Sequence, residues 1–202
     1  MNKNMYHRYL TLPFEHSMPK CYNTEHNDVD YHVQFVQKEW WDLRFVEWLK
    51  KYQLKPSNVS EGFYVRPNGG GLPIHNDSAV LSNIVNINFT WGPLTSTTRW
   101  WQLKNGSSFE IELPENTHIT EQKIKPDVNI KQYLRAREEE CDLMYEQVIH
   151  TPSLMNVGQL HNTHNPDTKM GRWTLSYIIL KSDNTHLQFE EALKIFKDVA
   201  YE

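Results

Sequence analysis

Cysteine is nearly absent from this chain: Cys21 and Cys141 are the only two in 202 residues. That scarcity excludes a disulfide-stapled scaffold and a four-cysteine zinc site, and both residues read as reduced thiols in a cytoplasmic protein. The glycosylation sequons at Asn58, Asn88 and Asn105 then carry no meaning. No apolar run is long enough to span a bilayer, so a membrane protein built on helices is excluded. The stretch from Met1 to His16 lacks the basic start, apolar core and small-residue cleavage site of a secretory signal, and none is expected. Neither sign of charge is in excess. With 21 basic against 25 acidic side chains, a net charge of −4 and no block of Lys and Arg, a nucleic-acid backbone is not an expected partner. Glycine is scarce too. The run Gly69-Gly70-Gly71 is followed by no Lys-Ser/Thr pair, so it reads as a flexible lip and not as a phosphate cradle.

Large rings and histidines are plentiful instead: seven Trp, ten Tyr, eight Phe and ten His, most of the rings being core filling. A chain of 24.0 kDa can bury roughly 70% of its unfolded surface, enough for one core with little room for a second domain. Residues 1–202 are therefore treated as one domain, with an irregular segment over 1–38 broken by Pro13 and Pro19. The spacing Trp41, Phe45, Trp48, Leu49, Tyr52 predicts a helix over Glu39–Tyr52 within a helical region 39–60, stopped by Pro56. Short strands follow at Gly62–Arg66, Val80–Phe89, Thr98–Leu103, Ser108–Leu113, Tyr145–Ile149, Leu154–Val157 and Arg172–Leu180. A polar insertion over about 114–144 is expected to hold a short helix near Ile130–Glu139. A closing helix over 185–202 starts at a capping box, Thr185 with Gln188, and shows Phe189, Leu193, Phe196 and Ala200 on one face. Strands grouped between terminal helices, without α/β alternation, predict a mainly β fold. The expected form is an antiparallel jelly roll or barrel over 61–180 with helices on one outer face.

The residues that could carry chemistry begin at Leu72-Pro73-Ile74-His75-Asn76-Asp77. Side chains at i and i+2 of an extended chain point the same way, so His75 and Asp77 can converge as two of the three ligands of a non-haem Fe(II) facial triad. The tripeptide alone is weak evidence, since a chain this rich in histidine offers a second copy at His26 and Asp28. What separates the two is a third histidine delivered from afar, and His161 lies 84 residues after Asp77 at the end of a strand-like run. His164 is its rival. Eleven residues after His161, Arg172 opens a strand in which Arg172, Thr174 and Ser176 share one face. Lining a cavity, an Arg flanked by hydroxyls would bind a buried carboxylate; meeting water, it would be an ordinary wet face. Strand parity also sets Asn86 and Asn88 opposite Val85, Ile87 and Phe89, where the amides would donate to a ligand near the metal, orient one, or meet solvent. Trp100 and Gln102 follow the same logic. His118, His150 and His186 have no partner spacing.

Taken together, Pro73-Ile74-His75-Asn76-Asp77, Gly158-Gln159-Leu160-His161-Asn162-Thr163-His164-Asn165 and Arg172-Trp173-Thr174-Leu175-Ser176 resemble the Fe(II)- and 2-oxoglutarate-dependent dioxygenases, whose fold is a double-stranded β-helix. The resemblance covers residues 61–180. Val85-Asn86-Ile87-Asn88-Phe89 and Thr98-Arg99-Trp100-Trp101 are similar to segments of small phage-type and aspartyl/asparaginyl-hydroxylase-like members. The resemblance implies that His75, Asp77 and His161 hold Fe(II) and that 2-oxoglutarate chelates it through its C1 carboxylate and keto oxygen. It also implies that the C5 carboxylate reaches Arg172, aided by Thr174 or Ser176, with Asn86 and Trp100 lining the same cofactor site. The implied reaction consumes molecular oxygen, releases succinate and carbon dioxide, and hydroxylates an unactivated C–H bond of a small molecule, amino acid or peptide side chain. With Asp at position 77 no coordination site is vacated for halide. Two other readings stand beside it: a cupin-like metal enzyme without a keto acid, and a non-catalytic jelly-roll binding module.

Overall fold

The computed structural model describes residues 5–19, 25–36, 38–58, 60–77, 83–105, 110–112 and 133–202. Within them the chain is mainly β. Its strands are β1 (His7–Leu10), β2 (Tyr31–Val36), β3 (Leu54–Pro56), β4 (Ser60–Val65), β5 (Gly70–Gly71), β6 (Ile74–His75), β7 (Val85–Trp91) and β8 (Thr97–Leu103). There follow β9 (Glu110–Glu112), β10 (Tyr133–Ala136), β11 (Cys141–Gln147), β12 (Ser153–Asn156), β13 (His161–Asn165), β14 (Arg172–Lys181) and β15 (Ala200–Tyr201), with helices α1 (Leu43–Lys50) and α2 (Phe189–Ile195). The strands form two antiparallel sheets. The larger runs β15-β1-β12-β7-β14-β4-β2, with β3 paired to β14, and the smaller runs β11-β8-β13-β6-β10-β9, with β5 paired to β13. From β4 onward the chain crosses repeatedly between them, so that β12, β13 and β14 lie in the larger, the smaller and again the larger sheet.

The alternation of β7 and β14 decides what each face of the larger sheet does. Val85, Ile87 and Phe89 with Leu175, Tyr177 and Ile179 form one apolar face, and both helices pack on it. Phe45 and Trp48 of α1 stack over Tyr177 and Phe196, the Trp48 and Phe196 rings lying 5.1 Å apart. Rings buried this way each contribute a few kcal/mol (~1.5–3) of hydrophobic stabilisation. The opposite face, facing the smaller sheet, carries Asn86, Asn88, Arg172, Thr174 and Ser176, all buried. Hydrogen bonds from Arg172 to Thr98 and from Trp100 to the Asn156 carbonyl tie the two sheets across this interior. Among the described residues no helix is long and apolar enough to cross a membrane.

Several sequence expectations are corrected. The segment 1–38 is not irregular throughout. It contributes β1, which pairs with β12, and β2, which pairs with β4. The inward residues of β1, His7 and Tyr9, are polar-tipped rings that hide the alternation usually read as a strand. The first helix is shorter than predicted: Lys38–Trp40 is a 3-10 turn, Asp42 caps α1 by accepting from the Arg44 N–H, and Gln53 at φ 59° redirects the chain before Pro56. Pro56 itself lies in β3. The short helix expected near Ile130–Glu139 is contradicted, because Tyr133–Ala136 pairs with β6 as a strand and only Glu138–Glu140 makes a helical turn, of 3-10 type. The polar insertion thus yields β10 and the start of β11 in its later part, and its portion over 113–132 lies outside the described residues, as do 78–82, 106–109 and Cys21. The capping box at Thr185 does not form. Thr185 turns back to Asp183 through both its N–H and its hydroxyl, and α2 runs only over Phe189–Ile195, Ala200–Tyr201 pairing with β1 as a strand and not continuing the helix. Gly70-Gly71 is no loose lip: it pairs with His164 and Asn165, and a Cβ on Gly70 would sit 2.4 Å from the Arg66 carbonyl oxygen.

Candidate metal centre

The site is built where β6 and β13 meet. His161 is the cross-strand partner of both His75 and Trp100, so two histidines 86 positions apart in sequence start from neighbouring backbone sites on one face. Their rings lie 4.6 Å apart. Asp77 follows β6, its N–H bonded to the Val157 carbonyl, which fixes the carboxylate beside both rings. Nε2 of His75 is 3.4 Å and Nε2 of His161 4.0 Å from the same oxygen, Oδ1 of Asp77. The three ligand atoms lie within 4.8 Å of one another. Adjacent ligands of one ion with bonds of ~2.1 Å stand roughly 3 Å apart, so the set needs to draw in by about an ångström to close on a metal.

Each ring is oriented by the same local device. Nδ1 of His75 is 2.8 Å from the Pro73 carbonyl and Nδ1 of His161 is 2.9 Å from the Gln159 carbonyl. A carbonyl only accepts, so Nδ1 carries the hydrogen, and in the neutral ring Nε2 keeps its lone pair for a metal. The other oxygen of Asp77, Oδ2, accepts from Nδ2 of Asn86 at 3.1 Å, and the same amide nitrogen donates to Oγ of Ser176 at 2.9 Å. One carboxylate oxygen is thereby held off the centre while Oδ1 faces it. The electrostatics differ between the two rings: they favour the neutral imidazole at His161 and the charged form at His75. Burial, with the charge of His75 behind it, pushes His161 down to about 4 against the pull of Asp77. At His75 burial acts downward as well, but the hydrogen bond and charge of Asp77 outweigh it and raise the pKa.

On the facing wall, four residues before Ser176 on the inner face of β14, lies Arg172, 2% exposed. Its Nη2 donates to the Thr98 hydroxyl at 3.1 Å, while Nε and Nη1 are buried with no partner. Burial alone lowers its pKa to about 9. A buried guanidinium with two unused donors has the directionality to take a carboxylate in a two-pronged grip. The orphaned donors therefore fit one end of a dicarboxylic acid such as 2-oxoglutarate, and the donor set of two imidazoles and one carboxylate fits Fe(II). Between the two ends, Thr174 sits against Thr90 and the buried Oδ1 of Asn88 has no partner.

The structure thus brings together His75, Asp77 and His161, with Asn86 behind them. Ser176 stands at the metal end, committed to Asn86, and does not reach toward Arg172; Thr98, from the opposite sheet, does. Sequence reading missed Thr98, although its parity with Trp100 marks it as inward-facing. Trp100 is fully buried beside Tyr6, His7 and Tyr145, and its one N–H is taken by Asn156, so it offers a cofactor only its ring. Gln102 is exposed. His164 alternates to the outer face of β13, where Arg99, Glu146 and Glu138 are the charges that act on it, and is thus separated from the centre. His26 stacks on His32 at the surface and Asp28 is exposed, apart from any metal-ligating group among the described residues. His150 is exposed and His186 bridges to Leu180; His118 lies outside the described residues. Compared with known protein families, with curated proteins and with solved structures, the chain finds no match in any of the three.

Proposed function

We propose that this protein is an Fe(II)- and 2-oxoglutarate-dependent oxygenase that hydroxylates an unactivated C–H bond of a small molecule, amino acid or peptide side chain. The observation that carries the reading is the pairing of two features on the facing walls of one interior. Two imidazoles and a single carboxylate oxygen converge at one end, and a buried guanidinium with two unused donors waits at the other. A metal site alone does not need the arginine, and an arginine buried for stability would not be left with orphaned N–H groups.

The wider fold supports the same reading. Core strands alternate between two antiparallel sheets, which supports reading the fold as a double-stranded β-helix of the jelly-roll type. A reducing, cytoplasmic setting fits the free buried thiol of Cys141. When bound, Fe(II) with 2-oxoglutarate supplies the oxidising power of molecular oxygen, and the keto acid leaves as succinate and carbon dioxide. The remaining tasks belong to the chain. His75, Asp77 and His161 would hold the ion from one side and leave the other open. Pro73 and Gln159 carbonyls keep both Nε2 lone pairs pointed inward, Asn86 limits Asp77 to one oxygen, and Arg172 with Thr98 sets the keto acid's orientation by its distal carboxylate. The buried rings of Trp100 and its neighbours exclude bulk water from this interior.

The test is anaerobic addition of Fe(II) and 2-oxoglutarate, followed by exposure to oxygen. The chelate should give a weak visible absorption that neither component gives alone, and oxygen should convert labelled 2-oxoglutarate to succinate. Metal binding without any effect of 2-oxoglutarate would identify a metal enzyme of another kind and overturn the proposal.

A further inference from the structure

A cluster of rings beside the metal centre has so far served only as a wall. Trp100 is the cross-strand partner of His161 on the same inner face of the smaller sheet, so its indole starts next to a metal-ligating imidazole. From there the rings continue outward in contact. The centroids of Tyr145 and Tyr6 each lie 5.7 Å from that of Trp100, and those two rings stack on one another at 5.3 Å. Burial falls along the same path: Trp100 is fully buried, whereas Tyr145 and Tyr6 are half-buried. Core filling alone does not call for this composition. The apolar face under the helices relies on Phe45, Phe89, Phe189 and Phe196, while none of the described phenylalanines enters the cluster around Trp100, where each aromatic partner is a tyrosine or His7. Indole and phenol yield an electron far more readily than phenyl does.

Resting on the oxygenase reading above, we infer that Trp100, Tyr145 and Tyr6 form an electron relay that carries a stray oxidising equivalent from the metal centre to the surface when no substrate is in place. Chemistry that generates a strong oxidant needs such an outlet, because excluding competing reactions is the protein's part of the work. Trp100 gives one electron to the centre and is refilled by one from Tyr145 or Tyr6, whose phenolic proton passes to water. The net change in the chain is one tyrosine oxidised to its neutral radical. The indole N–H of Trp100 donates to the Asn156 carbonyl at 3.2 Å, and a carbonyl is too weak a base to take that proton, so the electron moves without it. His7 packs against Trp100 and Tyr145 at 5.9 and 5.6 Å and stands between them and Tyr9. Its imidazole yields an electron less readily than either neighbour, which leaves Tyr145 and Tyr6 as the exit.

The test loads the intact protein with Fe(II), omits 2-oxoglutarate and substrate, and adds hydrogen peroxide under argon. Each peroxide takes one electron from the ferrous ion and one from a phenol, giving ferric ion, hydroxide, water and a tyrosyl radical. Electron paramagnetic resonance should show that radical in the Fe(II)-loaded protein and not in the Zn(II)-loaded one. Peptide mass spectrometry should then find oxygen addition or cross-linking at Trp100, Tyr145 and Tyr6, and should spare Trp101, the next residue on the outer face of β8, and Tyr177 under the helices. The Tyr6→Phe/Tyr145→Phe double variant should lose the radical and concentrate oxidation on Trp100. Mapping the native protein needs no variant, so it stands even if the substitutions impair folding. Oxidation spread evenly over all exposed rings, an equal radical with Zn(II), or an undiminished radical in the folded double variant would each overturn the relay. The visible absorption of the Fe(II)–2-oxoglutarate chelate separates the two claims: its absence in the native protein refutes the oxygenase reading, whereas its presence without a tyrosyl radical refutes only this inference.

Discussion

Replacing Arg172 by Met should make the ligand-free protein more stable while destroying its response to 2-oxoglutarate. Burial brings the guanidinium down to about 9, a shift that corresponds to roughly 5 kcal/mol against the charged form. One hydrogen bond, to Thr98, returns about 1 kcal/mol of that. Nε and Nη1 return nothing, because no group meets them. An unbranched apolar side chain of similar length fills the same space without the charge, and exchanges of this kind stabilise by ~1–4 kcal/mol in other buried ionic sites. Allowing for the lost Thr98 bond, a gain of about 1–3 kcal/mol is expected, or a rise of roughly 3–8 °C in Tm for a chain of this size. The native protein should gain a comparable amount from its ligand. Saturating Zn(II) with 2-oxoglutarate at a hundred times its Kd adds about 2.7 kcal/mol, whereas Arg172→Met should gain from the metal alone. Thermal unfolding with metal, and with metal plus 2-oxoglutarate, measures both effects. A variant less stable than the native protein without ligands, or one equally protected by 2-oxoglutarate, would refute the argument that this side chain waits for a carboxylate.

Four further outcomes follow. His161→Ala should lose most of its affinity for Fe(II) or Zn(II), and His164→Ala should keep it, as judged by metal titration, because His164 points to the outer face of β13. His75→Ala and Asp77→Ala should likewise release metal while His26→Ala does not. Asn86→Ala frees Oδ2 of Asp77 and is expected to weaken metal binding about tenfold, with a loss of about 1–2 kcal/mol in the metal-free protein by denaturant melts. For pH, His7 and His161 are both lowered by burial from 6.5 to about 4, so between those values the unfolded chain binds more protons than the folded one. The share of these two histidines in the stability of the metal-free protein should then be full above pH 6.5 and fall as pH drops toward 4, by up to roughly 3 kcal/mol each, while His75, raised by Asp77, contributes in the opposite sense. His7→Gln should flatten its share of that slope in melts across this range.

Much of the site was legible as pairs of residues. His75 with Asp77, and Arg172 with Thr174 and Ser176, follow from period-2 parity, and the structure keeps each set on one face. The helices were legible in part, because Phe45 with Trp48 and Phe189 with Leu193 stand at helical spacing over the apolar face of the larger sheet, whereas their ends were not. Less legible were β1 and β10. The first hides behind His7 and Tyr9, whose ring faces are apolar but whose letters read as polar; the second lies in a charged segment whose place is set by pairing with β6 and β9.

The sequence by itself therefore determined local direction: which side chains leave a strand together, and which residue types could hold a metal or a carboxylate. Only the tertiary structure decided which of two neighbouring histidines faces the centre, that Asn86 serves Asp77 and not the keto acid, and that Thr98 and not Ser176 meets Arg172. Parity along one strand is a property of the backbone, whereas these choices depend on which strands of two sheets come to face each other. Long-range pairing sets that, through hydrophobic faces distant in sequence.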